Sequence, residues 1–259
     1  MNQIFKRTRA FFLLAAVLWT AFFGVAQATP FDSGMKGLVI EYKVAPANRP
    51  ALYAYMREQG LDQLEQWKRE GKLKNYKVLF GRYADSPVWD MMTMLDFADV
   101  AQAARWKEIE RTMPAGLGPQ ALALVTSVET NPVDQWFEGG KSTSNGVYLV
   151  IPYDYLVSTE KYVSYVEGYL LPQVNGWLQD GALSHYNFYI GRYAVSRHWS
   201  SLLVLEYNGD EGIGQREKLT ARVRAKLAGS DPVWEGWSKD KSAIRNTRQY
   251  ILADELRKP

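Results

Sequence analysis

The chain has no cysteine, and histidine occurs only twice, at His185 and His198. Without thiols there is no disulfide framework and no site for lipid attachment at a new N-terminal cysteine, so stability must come from a packed core. A chain of 259 residues can build one. A block of Lys or Arg is also missing after residue 28. Lys6, Arg7 and Arg9 account for the formal charge of +3, and residues 29–259 balance to zero. A neutral domain with dispersed charges has no electrostatic footprint for nucleic acid or anionic lipid, and neither is expected as a partner. Phosphate loop, nucleophile elbow and dinucleotide fingerprint are lacking too. The glycines of Gly209-Asp210-Glu211-Gly212-Ile213-Gly214 come in the wrong order for the last of these. No cofactor is demanded by the sequence and none is expected.

What is present begins with a leader. After the basic start comes an uncharged, mostly apolar run from Ala10 to Val25, and Ala26-Gln27-Ala28 puts small residues at both recognition positions. Residues 1–28 therefore read as a secretory signal cleaved before Thr29, and the mature protein is expected in the periplasm or secreted, free of the membrane. An uncleaved anchor is the alternative, because the run is close to the lower limit of roughly 17 to 25 residues for a spanning helix.

Shifting the chain by 110 residues lays Gly81-Arg82-Tyr83-Ala84 on Gly191-Arg192-Tyr193-Ala194. The same shift matches Trp67 with Trp177, Gly71 with Gly181, Tyr76 with Tyr186, Trp89 with Trp199 and Leu95 with Leu205. These coincidences indicate a tandem duplication. In the first unit, residues 29–130, the β-branched and aromatic run Leu38–Val44 reads as a strand closed by Pro46. Helical spacing follows from Ala51 to Glu70, interrupted near Gly60 and capped by Gly71. Strands are expected at Tyr76–Tyr83, Val88–Phe97 and Ala123–Thr130, with a helix at Val100–Met113 between the last two. The second unit, residues 147–259, repeats the order and adds an inserted helix at 213–227. Pro132, Gly139-Gly140 and the polar run Lys141–Asn145 mark residues 131–146 as a linker.

Two β-α-β-β-α-β units, each with a hairpin flanked by matched tryptophans, resemble the dimeric α+β barrel superfamily in its tandem form, as in EthD-like and NIPSNAP-like domains. The resemblance implies an α+β fold in which two ferredoxin-like units pack sheet to sheet as an intrachain barrel, with a ligand-sized space within or beside it. It is specific for fold and not for activity. The superfamily also includes antibiotic-biosynthesis monooxygenases and tandem haem proteins related to chlorite dismutase. In those haem relatives the iron ligand is a histidine on a helix of the second unit. Here no predicted helix of that unit has one, so haem is not expected.

Candidate site residues come from the differences between the units. Glu41 interrupts an apolar strand, and burial would demand a partner or a raised pKa. His185 is a second candidate for proton transfer; His198 reads as an ordinary hairpin-end histidine, and no metal motif is formed. Arg192 offers an anion clamp, although both duplicated arginines also read as internal ion pairs, Arg82 with Asp96 and Arg192 with Glu206. Tyr148, Tyr186 and Tyr189 are pocket candidates in a largely apolar cavity, with Tyr148 and Tyr189 preferred. Tyr162, Tyr165 and Tyr169 share one helical face and are assigned to packing. Met92 and Met94 are assigned to the core rather than to a soft metal. The expected function is binding of a small organic ligand. The alternatives are a cofactor-independent monooxygenase or EthD-like enzyme, and a structural or partner-binding module with a filled barrel. A homo-oligomer is compatible with each.

Overall fold

The computed structural model describes residues 35–194 and 197–258. The leader expected at residues 1–28 lies outside them. Strand β1 (Gly37–Val44) leads into helix α1, built from Arg49–Tyr55, a π-helical turn Met56–Gly60 and Leu61–Arg69. Then come β2 (Asn75–Gly81), β3 (Met91–Asp96), α2 (Val100–Thr112) and β4 (Val125–Gly140). The second half has β5 (Val147–Tyr155) and α3, made of Thr159–Tyr165, a π-helical turn Val166–Leu170 and Leu171–Gln179. It continues with β6 (Leu183–Gly191), β7 (Ser201–Tyr207), α4 (Arg216–Ser230), α5 (Pro232–Ile244), β8 (Arg245–Thr247) and β9 (Ile251–Glu255). The interruption expected near Gly60 is the π-helical turn, and α3 has one at the corresponding place. Among the described residues no helix is long and apolar enough to cross a membrane.

All strand pairings are antiparallel, in the order β7-β6-β4-β1-β3-β2-β9-β5-β8 with a further β7–β5 pairing. That last contact closes eight strands into a barrel within one chain, and β8 is left beside β5 outside the ring. Closure removes free sheet edges. Alternation along each strand sorts the apolar residues into three cores. Leu38, Ile40 and Tyr42 of β1 face outward against α1 and α2, where Trp67 and Trp106 meet edge to face at 5.4 Å. Outside the second half, Tyr162, Tyr165 and Tyr169 pack with Phe188 and Trp234. Inside the barrel lie Val39, Leu79, Met92, Met94, Val133, Val150, Tyr189, Leu202 and Val204. The methionines and the tyrosine stripe thus serve packing.

Two sequence expectations need correction. Residues 131–140, assigned to a linker, continue β4 without a break. The first part of this strand pairs with β1 (Val44↔Val125 through Gly37↔Val133), and its second part pairs with β6 (Val133↔Gly191 through Gly140↔His185). The glycines that suggested a linker end the strand instead: Gly140 has φ +83°, and a Cβ there would fall 2.1 Å from the Ser184 carbonyl oxygen.

The second correction concerns the duplicated arginines. Arg82 pairs with Asp254 and Asp210, and Arg192 with Asp134 at 2.6 Å. Asp96 and Glu206 cannot be their partners because an antiparallel hairpin sets the end of its first strand against the start of its second. Asp96 lies opposite Asn75, at the far end of the hairpin from Arg82. Both arginines instead secure the seams that close the barrel. The Arg82 N–H donates to the Leu252 carbonyl, and its guanidinium grips Asp254, two residues further along β9. The Arg192 N–H donates to Pro132, and its guanidinium reaches Asp134, two residues further along β4. The motif occurs in both halves because each half contributes one strand to the other's sheet.

Candidate functional site

One end of the barrel opens into a cleft of about 850 Å³. It gathers the first residues of β1, β2 and β6, the last residues of β3 and β9, and the second part of β4. The apolar interior forms its floor through Met94 and Tyr189, while Asp96, Lys77, Gln135, Glu138, His185 and Asn187 stand around it. The side chains converge because residues spaced by two along a strand share a face, and antiparallel order brings alternate strand starts and ends to one rim.

Behind this rim lies a buried carboxylate, Glu206 of β7. It accepts from Ser142 Oγ at 2.5 Å, from the Thr143 N–H at 2.6 Å and from Thr143 Oγ1 at 3.2 Å, with Lys77 Nζ at 3.5 Å. Gly146 permits the approach, since a Cβ there would sit 2.6 Å from the Glu206 side chain. Burial pushes the Glu206 carboxyl up, but these donors outweigh it and hold the group below its usual value. Lys77 also donates to Tyr148 Oη at 2.9 Å, and Tyr148 donates to Glu255 at 2.6 Å. His185 stands between two carboxylates: Nε2 is 3.0 Å from Glu138 Oε1 and Nδ1 is 3.7 Å from Glu206 Oε2. Such flanking fixes the orientation of the imidazole at the rim.

Asp96 differs from Glu206. Burial raises its carboxyl to about 6, offset in part by Lys74 and reinforced by Glu138. It lines the cleft, and among the described residues no hydrogen-bond partner is set on its side chain. Its field adds to the burial that pushes the Tyr189 phenol up. A carboxyl that titrates near neutrality inside a cleft can accept and return a proton.

The opposite end of the barrel is closed over Glu41. Its side chain is 4 % exposed, Oε1 accepts from Trp199 Nε1 at 3.0 Å, and Oε2 has no hydrogen-bond partner. Burial pushes its carboxyl up to about 8; the Trp199 bond opposes the rise and the Glu129 charge adds to it.

Among the sequence-derived candidates, His185 and Tyr189 line the cleft, and Tyr148 joins its polar network through Lys77. Glu41 lies at the other end, and Arg192 secures a seam. The cleft is also more polar than the largely apolar cavity expected from sequence. Asp96, Lys77 and Glu138 were missed as site residues. Asp96 and Glu206 occupy corresponding places in the two halves, which made them look like structural repeats. The signal that could have separated them is the polar run Lys141–Asn145: it supplies Ser142 and Thr143 to Glu206 and has no counterpart beside Asp96.

A haem held by a helical histidine does not fit these residues. His185 belongs to β6 and His198 to the β6–β7 loop, and the space between the second half's helices and sheet is filled by the stacked tyrosines.

No known family profile matches the chain, and no curated protein matches it. Solved structures do. A putative monooxygenase from Lactobacillus acidophilus NCFM superposes with TM-score 0.53 at 8 % identity, over 85 % of this chain and 93 % of the other. An anthrone oxidase-like protein gives 0.54 at 9 % identity, over 88 % and 94 %. A mutant chlorite dismutase from Candidatus Nitrospira defluvii gives 0.52 at 12 % identity, over 87 % and 92 %. At these identities the likeness establishes the architecture alone. The chain has the dimeric α+β barrel fold of the monooxygenase and chlorite dismutase type, completed within a single polypeptide.

Proposed function

We propose that the open end of the barrel binds a small organic molecule carrying an acidic or hydrogen-bonding group. The observation that carries this reading is the cleft itself. Its volume falls within the roughly 300 to 1,000 Å³ typical of small-molecule sites, and an apolar floor meets convergent polar side chains. Met94 and Tyr189 supply a surface for a ring or chain; Lys77, Gln135 and Asn187 supply hydrogen bonds; Asp96 supplies a site for a proton. A filled, purely structural barrel is not favoured by a space of this size.

A second reading, a cofactor-independent monooxygenase, is supported by Asp96. A substrate methylene activated by neighbouring unsaturation would lose a proton to this carboxylate. Dioxygen, as co-substrate, would then oxidise the carbanion, one oxygen atom remaining as a carbonyl and the other leaving as water with both former methylene hydrogens. The monooxygenase descriptions of the structural neighbours point the same way, and kinship with EthD-like domains belongs to this reading.

A ligand-detected NMR screen of small phenols and carboxylic acids tests the binding site. Hits are expected to bind the wild type and to weaken at least tenfold in Gln135→Trp, which fills the exposed side of the cleft. Hits that bind both proteins equally would contradict the assignment, and oxygen uptake with bound C–H acids separates the enzyme from the binding protein. We also infer, from residues 1–28, an exported protein that carries no membrane anchor after cleavage. N-terminal sequencing of the protein from its own cells should begin at Thr29. The closed barrel needs no second copy to complete it, so any homo-oligomer would form through its outer surface.

A further inference from the structure

We infer that the closed end of the barrel is a binding site for a divalent first-row transition-metal ion, ligated by Glu41, Glu129 and His198. Glu41 lies about 13 Å along β1 from Gly37 at the cleft rim, taking roughly 3.3 Å per residue, so this site is separate from the cleft.

The argument begins with register. In the β1–β4 pairing Glu41 stands directly opposite Glu129. Like charges at directly opposed positions destabilise a sheet, and burial of one of them adds to the cost. His198 reaches the pair from the β6–β7 loop. Its Nδ1 is 2.9 Å from Glu129 Oε2 and 3.9 Å from Glu41 Oε2, and one ligand atom from each residue falls within 4.8 Å of the other two. Metal–ligand bonds of about 2.0 to 2.2 Å place neighbouring donors roughly 3 to 3.6 Å apart, so small side-chain adjustments complete a three-point site.

A second observation is independent of the cluster. Glu41 Oε2 is buried, without a hydrogen-bond partner, and faces His198. Its other oxygen is fixed by the Trp199 indole, the kind of outer hydrogen bond that orients a metal-ligating carboxylate. The His198 N–H likewise fixes Glu129 through Oε1 at 3.0 Å, leaving Oε2 beside the imidazole. Two carboxylates, a neutral imidazole and a divalent cation sum to zero charge, which suits a site screened from water. Nitrogen and oxygen donors without sulfur suit Zn²⁺, Fe²⁺ or Mn²⁺, and the imidazole disfavours Mg²⁺ and Ca²⁺. His198 is more than half exposed and provides the path of entry.

The test uses tag-free protein comprising residues 29–259, stripped with a chelator. Zn²⁺ and Mn²⁺ are titrated by calorimetry, with intrinsic tryptophan fluorescence as a second readout. One Zn²⁺ per chain is expected, with Mn²⁺ quenching the indole and Mg²⁺ failing to compete. His198→Ala, a change at an exposed side chain that leaves the core untouched, and Glu41→Gln, which keeps an acceptor for Trp199, should each weaken Zn²⁺ at least tenfold. Absence of stoichiometric binding, or wild-type affinity in His198→Ala, would overturn the site.

Discussion

The barrel has a buried carboxylate near each end, and the two behave in opposite ways. Glu206 meets donors from Ser142, Thr143 and Lys77 and stays ionised. Glu41 meets one indole N–H and a second glutamate, and its carboxyl is pushed up to about 8. Both are screened from water by the same closed sheet. Glu41 is the more deeply enclosed of the two and has fewer donors aimed at it, and both differences push its carboxyl up where that of Glu206 is held down. The donor-rich end can remain open to solvent and hold a polar network ready for a ligand. The donor-poor end is left needing a proton or a cation.

The largest effect should follow from removing the satisfied carboxylate. Glu206→Ala strands Lys77 and three further donors from Ser142 and Thr143, and should cost about 3 to 5 kcal/mol in denaturant unfolding at pH 7. Because the folded-state value of Glu206 is depressed, its contribution is fully present above the ordinary carboxylate value and is lost as pH falls from there through the lower folded-state value. A loss under about 1 kcal/mol would break the comparison between the two ends.

Glu41→Gln should act in the opposite direction in chelator-treated protein. A carboxyl raised to about 8 in the folded state penalises folding progressively between pH 4.5 and 8, where the unfolded chain has already released its proton. The variant is expected to be more stable than wild type at pH 8, by a few kcal/mol at most, and equal to it near pH 4. Destabilisation at both pH values would show that Glu41 is satisfied by a partner.

How much of this was legible in the sequence depended on the kind of signal. The 110-residue shift and the strand–helix periodicity placed the elements, because repeat spacing and side-chain alternation are local. The barrel seams were not legible. Asn131–Gly140 has the glycines and proline of a linker, yet it is a strand whose partner, β6, lies some 50 residues away, and only that long-range pairing explains it. The site was legible in part for the same reason. His185 and Tyr189 stood out by their difference between halves, whereas Asp96 and Glu206 look alike in sequence and differ only through Ser142 and Thr143 folding back over one of them. Glu41 and Glu129 are opposed by register, which no local pattern reveals.

Asp96→Asn should sharpen the contrast within the cleft itself. Its carboxyl, raised to about 6, disfavours folding as pH climbs from about 4 to 6, so the asparagine variant should gain at most about 3 kcal/mol at pH 7 and nothing below pH 4. The smallest effect is expected at the seam between β2 and β9. Arg82→Met removes a pairing to Asp254, which is half exposed, and to Asp210, which is more so, and it should cost no more than about 1 kcal/mol. A larger loss would mean that the seam contributes more than its exposed carboxylates allow.

Crystallographic fragment screening tests the division between the two ends most directly, since it reports where small molecules settle without assuming their identity. Fragments are expected to collect in the cleft, touching Asp96, His185 or Tyr189, and to leave the closed Glu41 end free of organic density. Fragments confined to the outer helices, or lodged beside Glu41 with the cleft empty, would contradict the account.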